Sequence, residues 1–235
     1  MKRRALVTGG SGAIGAAICR RLAADGCEVI VHANGRLDAA EAVAREIGGR
    51  AVAFDVTDGA ATRSALEALV EEAPIQVLVN SAGIHDDAPF PGMSQAQWHR
   101  VLDVSLNGFF NVTQPLVMPM ARTRWGRIVT LTSVAATLGN RGQANYAAAK
   151  GALAAASRSL AREVGSRGVT VNCVSPGVIE SPMVAGLFDA DRISQLIPLN
   201  RMGKPEEVAA VVAFLASDAA GYITGQEVPV NGGMT

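Results

Sequence analysis

The chain has 235 residues, 49% of them apolar, which is enough for one large domain with a substantial core. Its 21 basic residues balance 21 acidic ones, so no global field draws in nucleic acid or a membrane surface. Any charged partner must be met by a local patch.

In chain order, short β-rich runs alternate with longer helical ones. ALVTG (5–9) is a continuous apolar run that ends on glycine. AAICRRLAADG (16–26) has helical spacing with Gly26 as a stop. CEVIVHA (27–33) reads as a strand and DAAEAVAREIGG (38–49) as a helix. RAVAFDV (50–56) is a strand, TRSALEALVEEA (62–73) a helix before Pro74, and IQVLVNSAG (75–83) a strand and turn. Residues 94–121 form a long helical zone with prolines late in it. GRIVTLTS (126–133) is a strand, 145–165 a helix, and VTVNCVSPG (169–177) a strand and turn. PEEVAAVVAFLASD (205–218) is a helix with proline and two acids in its first turn, and EVPVNGG (227–233) is the last strand. Seven apolar strands separated by helices predict one α/β domain over 1–235, a parallel sheet covered on both faces. Residues 178–204 are expected to be irregular and suit a lid over a site.

The cysteines Cys19, Cys27 and Cys173 sit in apolar contexts with no CxxC pair and no Cys/His cluster. That points to a reducing compartment and no metal. The apolar run behind MKRR is too short for a secretory signal, and no window approaches a membrane span. The expectation is a cytoplasmic protein without membrane contact.

Ligands of open parallel sheets bind at the carboxyl ends of the strands. TGGSGAIG (8–15) stands there, between the first strand and the first helix. Gly9 allows a tight turn, Gly15 allows the helix to pack closely, and Ser11, Gly12 and Ile14 line the approach of a pyrophosphate to the helix amino end. This predicts a Rossmann-type, doubly wound dinucleotide fold. The second strand ends VIVHANGRLDAA with no acid before Asp38. An acid would bind the 2′-hydroxyl of NAD, whereas Asn34 and Arg36 can take a 2′-phosphate, so NADP is favoured over NAD. Asp55, with Val56 beside it, is placed to meet the adenine, while Asp58 can cap the next helix. Asn80, Ala82 and Gly83 form a turn that admits the cofactor closely.

Tyr146 and Lys150 share a helix face at i,i+4. A cation close to a phenol stabilises the phenolate and lowers its pKa, which makes the phenol a usable acid or base near neutrality. Ser133, at the end of the TLTS strand, can bond the same substrate carbonyl.

With TGGSGAIG, NSAG, Asn107, Ser133, YxxxK and Pro176-Gly177 in this order, the chain resembles the short-chain dehydrogenase/reductase family over essentially its whole length. The resemblance implies that Tyr146 donates the proton and Ser133 orients the carbonyl. It implies that Lys150 holds the nicotinamide ribose and that Asn107 holds a water relaying protons to Lys150. Pro176, Gly177 and Ile179 would seat the nicotinamide, with Ser181 where a phosphate- or amide-contacting threonine is common. Two positions depart from the family pattern. Ser81 replaces an asparagine, and Gly12 stands where NADP-preferring members often carry a basic residue.

Within the family, 139–153, 159–177, 201–209 and 223–234 are most similar to bacterial 3-oxoacyl-[acyl-carrier-protein] reductases. That implies NADPH-dependent reduction of a 3-oxoacyl thioester, a homotetramer, and contact of Arg124 and Arg167 with an acidic acyl carrier protein. RTRWGR (122–127) supplies a basic patch of the kind needed. The segment FNVTQPLVMPM also resembles reductases of bacterial aryl-polyene clusters. Two alternatives stand beside this reading: an NAD-dependent dehydrogenase of a small alcohol, sugar or steroid, and a nicotinamide-binding subunit without turnover.

Overall fold

A computed structural model of the protein describes residues 2–181 and 189–235. Among them, seven strands form one fully parallel sheet: β1 (Arg4–Val7), β2 (Glu28–Ala33), β3 (Arg50–Ala53), β4 (Val77–Asn80), β5 (Gly126–Leu131), β6 (Val169–Pro176) and β7 (Glu227–Val230). The spatial order is β3-β2-β1-β4-β5-β6-β7. The chain builds outward from β1 to β3, crosses back, and continues from β4 to β7. The direction reverses between β1 and β4, which opens a crevice at their carboxyl ends. Every residue of β1, β4, β5 and β6 is buried, as expected of strands covered on both sides.

Helices α1 (Ala13–Ala24), α2 (Leu37–Ile47), α3 (Gly59–Glu72), α4 (Gln95–Leu102), α5 (Gly108–Thr123), α6 (Ala135–Leu138), α7 (Ala144–Val164), α8 (Ala190–Leu196) and α9 (Pro205–Leu215) complete the described fold. Ile18 and Leu22 of α1, Val43 of α2 and Val208 and Val212 of α9 pack with Val7, Val31 and Val79 in one core. On the other face, Leu66 and Leu69 of α3, Leu116 and Met120 of α5, and Val164 of α7 pack with Leu6, Leu78 and Ile128. Each sheet face thus has its own core, and the doubly wound seven-stranded fold expected from the sequence is present. Among the described residues, no helix is long and apolar enough to cross a membrane.

Three details differ from expectation. The long zone 94–121 is two helices joined by a π-helical turn over Asp103–Asn107, and Pro115 and Pro119 lie inside α5. β3 stops at Ala53, which leaves Asp55 and Val56 in the loop before α3. Within the segment expected to be irregular, Ile179 bridges Gly203 and α8 is a helix capped by the Asp189 side chain. Residues 182–188 of the expected lid lie outside the described residues.

Candidate active site

The glycine turn is held from three sides. Thr8 Oγ1 accepts from the amides of Ser81 (3.0 Å) and Ala82 (3.1 Å), stitching it to the NSAG turn. Gly9 has φ 63°, and a Cβ there would stand 3.1 Å from backbone atoms of Ser81 and Ala82. A Cβ on Gly15 would come within 2.2 Å of Gly9 O, so α1 lies directly on the turn. Ser11 and Gly12 face the amino end of α1, which has no acid in its first turn, and Ile14 packs on the core beneath. Free amides at a helix amino end with no nearby carboxylate suit a pyrophosphate. Gly12, where a Cβ would meet only Gly9 O at 3.4 Å, is not required sterically.

Asn34 and Arg36 are exposed at the end of β2, and Arg36 is the residue preceding α2. Asp58 caps α3 by accepting from the amides of Ala60 and Ala61, each at 3.0 Å. Asp55 accepts from Thr57 N (2.9 Å) and Thr57 Oγ1 (2.8 Å) in the loop at the sheet's carboxyl edge. Val56 is buried, and its carbonyl accepts from Asn111 Nδ2 at 2.9 Å. Asn80 Nδ2 donates to Thr113 Oγ1 at 3.1 Å, which fixes the β4 end on α5. On the far side of the crevice, Gly177 N donates to Val230 O and Pro176 O accepts from Val134 N, each at 2.9 Å. This ties the β6 end to the Ser133 loop. Ile179 is buried and Ser181 partly so.

The chemistry-bearing side chains meet at the end of β5. Tyr146 lies in the first turn of α7, one residue after Asn145, a buried side chain whose Nδ2 donates to Asp86 O (3.0 Å) and Gln97 O (3.2 Å). Asn145 was not legible as part of the site, yet it docks the start of α7 on the loop after β4. Ser133 stands close enough to the Tyr146 phenol to act on it. Lys150 is only 4% exposed; its Nζ donates to Leu131 O at 2.8 Å and lies 5.6 Å from the Tyr146 ring centroid. Burial pulls Lys150 down to about 8.

Burial also pushes the Tyr146 phenol above its ordinary value, and the Asp87 carboxylate adds to this while the Ser133 hydroxyl opposes it. The expected depression of the phenol by Lys150 is therefore not what the geometry gives. The ammonium is turned to a backbone carbonyl, and desolvation acts more strongly on the phenol. A phenol held protonated is the correct form for an acid that donates to a carbonyl.

Asn107 bonds within its own turn. It is exposed on the far side of the π-helical turn, and its Nδ2 donates to Asp103 Oδ1 at 2.7 Å. Ser105 shares a buried space with Lys150: it is 3% exposed, and a Cβ placed on Gly83 would lie 3.2 Å from Lys150 Nζ and 3.7 Å from Ser105 Oγ. Ser105 Oγ finds no hydrogen-bond partner among the described residues. It lines a cavity of about 10 Å³ with Thr8, Asn80 and Ala82, room for roughly one water. A wide turn shifts the phase of every later residue on the helix, so neighbouring side chains of the turn face different ways.

Arg124 and Arg167 come together elsewhere. Arg124 ends α5 at φ 52°, its Nη2 3.5 Å from Ser166 O, just before β5; Arg167 lies just before β6. Both are at the amino edge of the sheet, opposite Tyr146.

A family model described as Enoyl-(Acyl carrier protein) reductase matches residues 9–235. The chain is 44% identical to a protein named 3-oxoacyl-[acyl-carrier-protein] reductase FabG from Aggregatibacter actinomycetemcomitans, with all of both chains covered. It is 45% identical to Nodulation protein G of Rhizobium meliloti (strain 1021), over 99% of this chain and 96% of that one. It is 43% identical to an acetoacetyl-CoA reductase of Allochromatium vinosum, over 100% of this chain and 99% of that one. Full-length identity of this order, on a doubly wound sheet whose glycine turn faces a tyrosine, a lysine and a serine, means that the chain belongs to the short-chain dehydrogenase/reductase family.

Proposed function

We propose that the chain reduces the ketone of a 3-oxoacyl thioester to the 3-hydroxyacyl thioester, with NADPH as reductant. The carrying observation is the cluster of Tyr146, Ser133 and Lys150 at the carboxyl edge of the sheet, with Lys150 against Gly83 of the NSAG turn. Two hydroxyls that converge on one point suit a single carbonyl oxygen. Two of the relatives above support the substrate class by name, one a 3-oxoacyl-carrier and one an acetoacetyl-CoA reductase.

The nicotinamide, when bound, supplies hydride to the keto carbon. Tyr146 gives its proton to the keto oxygen, so one C–H and one O–H form and the product is an alcohol. Ser133 holds that oxygen in place, and Lys150 faces the ribose side and the tyrosine. Pro176, Gly177 and Ile179 border the nicotinamide side, with Ser181 at its rim; Asp55 and Val56 border the adenine side. Asn34 and Arg36, free of any acid before Asp38, favour NADP. Ser105, beside Lys150, takes the water-holding role in place of Asn107. Accordingly Ser105→Ala is expected to lower kcat about tenfold while Asn107→Ala leaves it unchanged; steady-state rates on both variants check this.

The carrier contact at Arg124 and Arg167 sits one β5 length from Tyr146, roughly 20 Å for six residues at about 3.3 Å each. A carrier docked there is better placed to serve a second copy of the chain. Phe110 (62% exposed) and Met118 (60%) mark an apolar stripe on α5 that leads from the site edge to Arg124, and we place a subunit contact of the homotetramer on it.

NADPH absorbance with acetoacetyl carrier protein and a small acetoacetyl thioester tests the reading. Oxidation of NADPH is expected to exceed that of NADH on both substrates. No turnover of either, or turnover only of an enoyl thioester, overturns it. The double variant Arg124→Glu/Arg167→Glu is expected to lose about tenfold or more on the carrier substrate alone. Mixed and reassembled with Tyr146→Phe chains, it is expected to recover carrier-dependent rate, because each defect sits on a different subunit. No recovery returns the patch to its own chain's site.

A further inference from the structure

Buried between the carboxyl ends of β1, β2 and β3 is a histidine that no step above uses. His32 is 1% exposed, on β2. Its Nδ1 accepts from the amide of Gly9 at 3.3 Å. Its Nε2 lies 2.9 Å from Phe54 O. A backbone amide can only donate and a carbonyl can only accept, so both contacts are satisfied by one species: neutral imidazole with its hydrogen on Nε2. The ring also leans on Phe54, with centroids 4.1 Å apart and planes at 42°. The backbone of the same residue adds a third tie, since His32 O accepts from Gly10 N at 2.8 Å.

One residue therefore joins the glycine turn to the end of β3, directly before Asp55. These are the pyrophosphate and adenine halves of the crevice. A second proton on Nδ1 would confront the Gly9 amide, donor against donor, and break the tie on the turn while leaving the one on Phe54.

We propose that His32 is a positioning residue for the dinucleotide: its neutral imidazole holds the Gly9 turn in binding geometry, and acid releases it. The proposal rests on the reading of the turn as a nicotinamide-dinucleotide site. Burial holds the imidazole below its ordinary value, more strongly than the Phe54 carbonyl and the Asp55 carboxylate raise it. Asp55, in the loop after β3, is the charged group acting on the ring; the β1 turn presents the backbone of Gly9 and Gly10 to it. The neutral clamp is thus complete at pH 7 and above and opens below the ordinary histidine range near 6.5.

The test is the Kd of NADPH and of NADH by fluorescence titration from pH 5 to 8, on wild type, His32→Asn and His32→Val. Asparagine can place an oxygen where Nδ1 accepts, and it does not titrate. His32→Val is expected to weaken both cofactors about five- to tenfold at pH 8, the worth of about one hydrogen bond. His32→Asn is expected to bind as wild type at pH 8 and to lack the part of the acid weakening that wild type shows. The difference between those two profiles removes any titration of the 2′-phosphate itself. Melting curves at pH 8 separate a local change from a misfolded variant, and His32→Asn carries the test alone if His32→Val does not fold. Unchanged affinity in His32→Val, or identical acid weakening in wild type and His32→Asn, overturns the proposal. Failure of wild type to bind either nucleotide overturns the dinucleotide reading instead.

Discussion

Replacement of Tyr146 by phenylalanine is expected to lower kcat by about 10²- to 10⁴-fold, the usual worth of a positioned acid, with little change in the KM for NADPH. The ring stays, so its packing at the start of α7 stays. What leaves is one hydroxyl, and a polar contact of that kind is worth only about 1 kcal/mol to stability. If the phenol and Lys150 were merely an i,i+4 contact, the change would cost a few tenths of a kcal/mol and leave any turnover intact. The two outcomes differ by orders of magnitude, and a rate assay beside a thermal melt distinguishes them. The pH profile adds a second reading. Burial and the Asp87 carboxylate hold the phenol above its ordinary value, so its acid form persists through the neutral range, and any fall in the reduction rate is expected above about pH 8, where Lys150 loses its charge. A fall near pH 7 in kcat would mean that another group supplies the proton.

The fold was legible because its signal is redundant. Continuous runs such as VIVHA and VTVNCV are buried on both faces and flanked by glycine stops, and each strand restates the same parallel sheet. The glycine turn was legible for a steric reason. At Gly15 the Gly9 carbonyl occupies the space a side chain would need, and at Gly9 a positive φ and the close backbone of Ser81 and Ala82 favour glycine. Asp58 was separable from Asp55 because a cap is a local pattern. The misses are of another kind. Ser105 and Asn107 are two residues apart on the π-helical turn, and Ser105 shares a buried space with Lys150. His32 and Asn145 act through contacts to residues 22 and 48 or more positions away, which no window in the sequence spans. The phenol's pKa was misjudged because the sequence shows the lysine's spacing but not its direction; Nζ turns to Leu131 O.

Lys150→Met is expected to abolish reduction and yet to raise the melting temperature of the cofactor-free protein at pH 7. Burial brings Lys150 from 10.5 down to about 8. A base with a lowered folded value binds fewer protons folded than unfolded between those two values, so stability falls as pH drops from 10.5 to 8 and is level below 8. The ammonium then costs the native state about 3 kcal/mol at pH 7, at about 1.4 kcal/mol per pH unit. Methionine fills a similar volume without charge and removes that cost. Against it stands the loss of the bond to Leu131 O, which leaves a buried carbonyl short of a donor, at about 1–2 kcal/mol. The net gain is about 1–2 kcal/mol at pH 7, or roughly 2–8 °C for a chain of this size. Above pH 10.5 the charge term vanishes in both states and only the lost bond remains, so the sign reverses and the variant melts below wild type. Melting temperatures of both proteins at pH 7 and at pH 10.5 decide the matter. A variant less stable than wild type at both values would mean that the ammonium is well solvated where it lies. A gain at pH 7 together with lost turnover would mean that the fold carries a buried cation at a cost to its own stability, kept for what it does beside Tyr146.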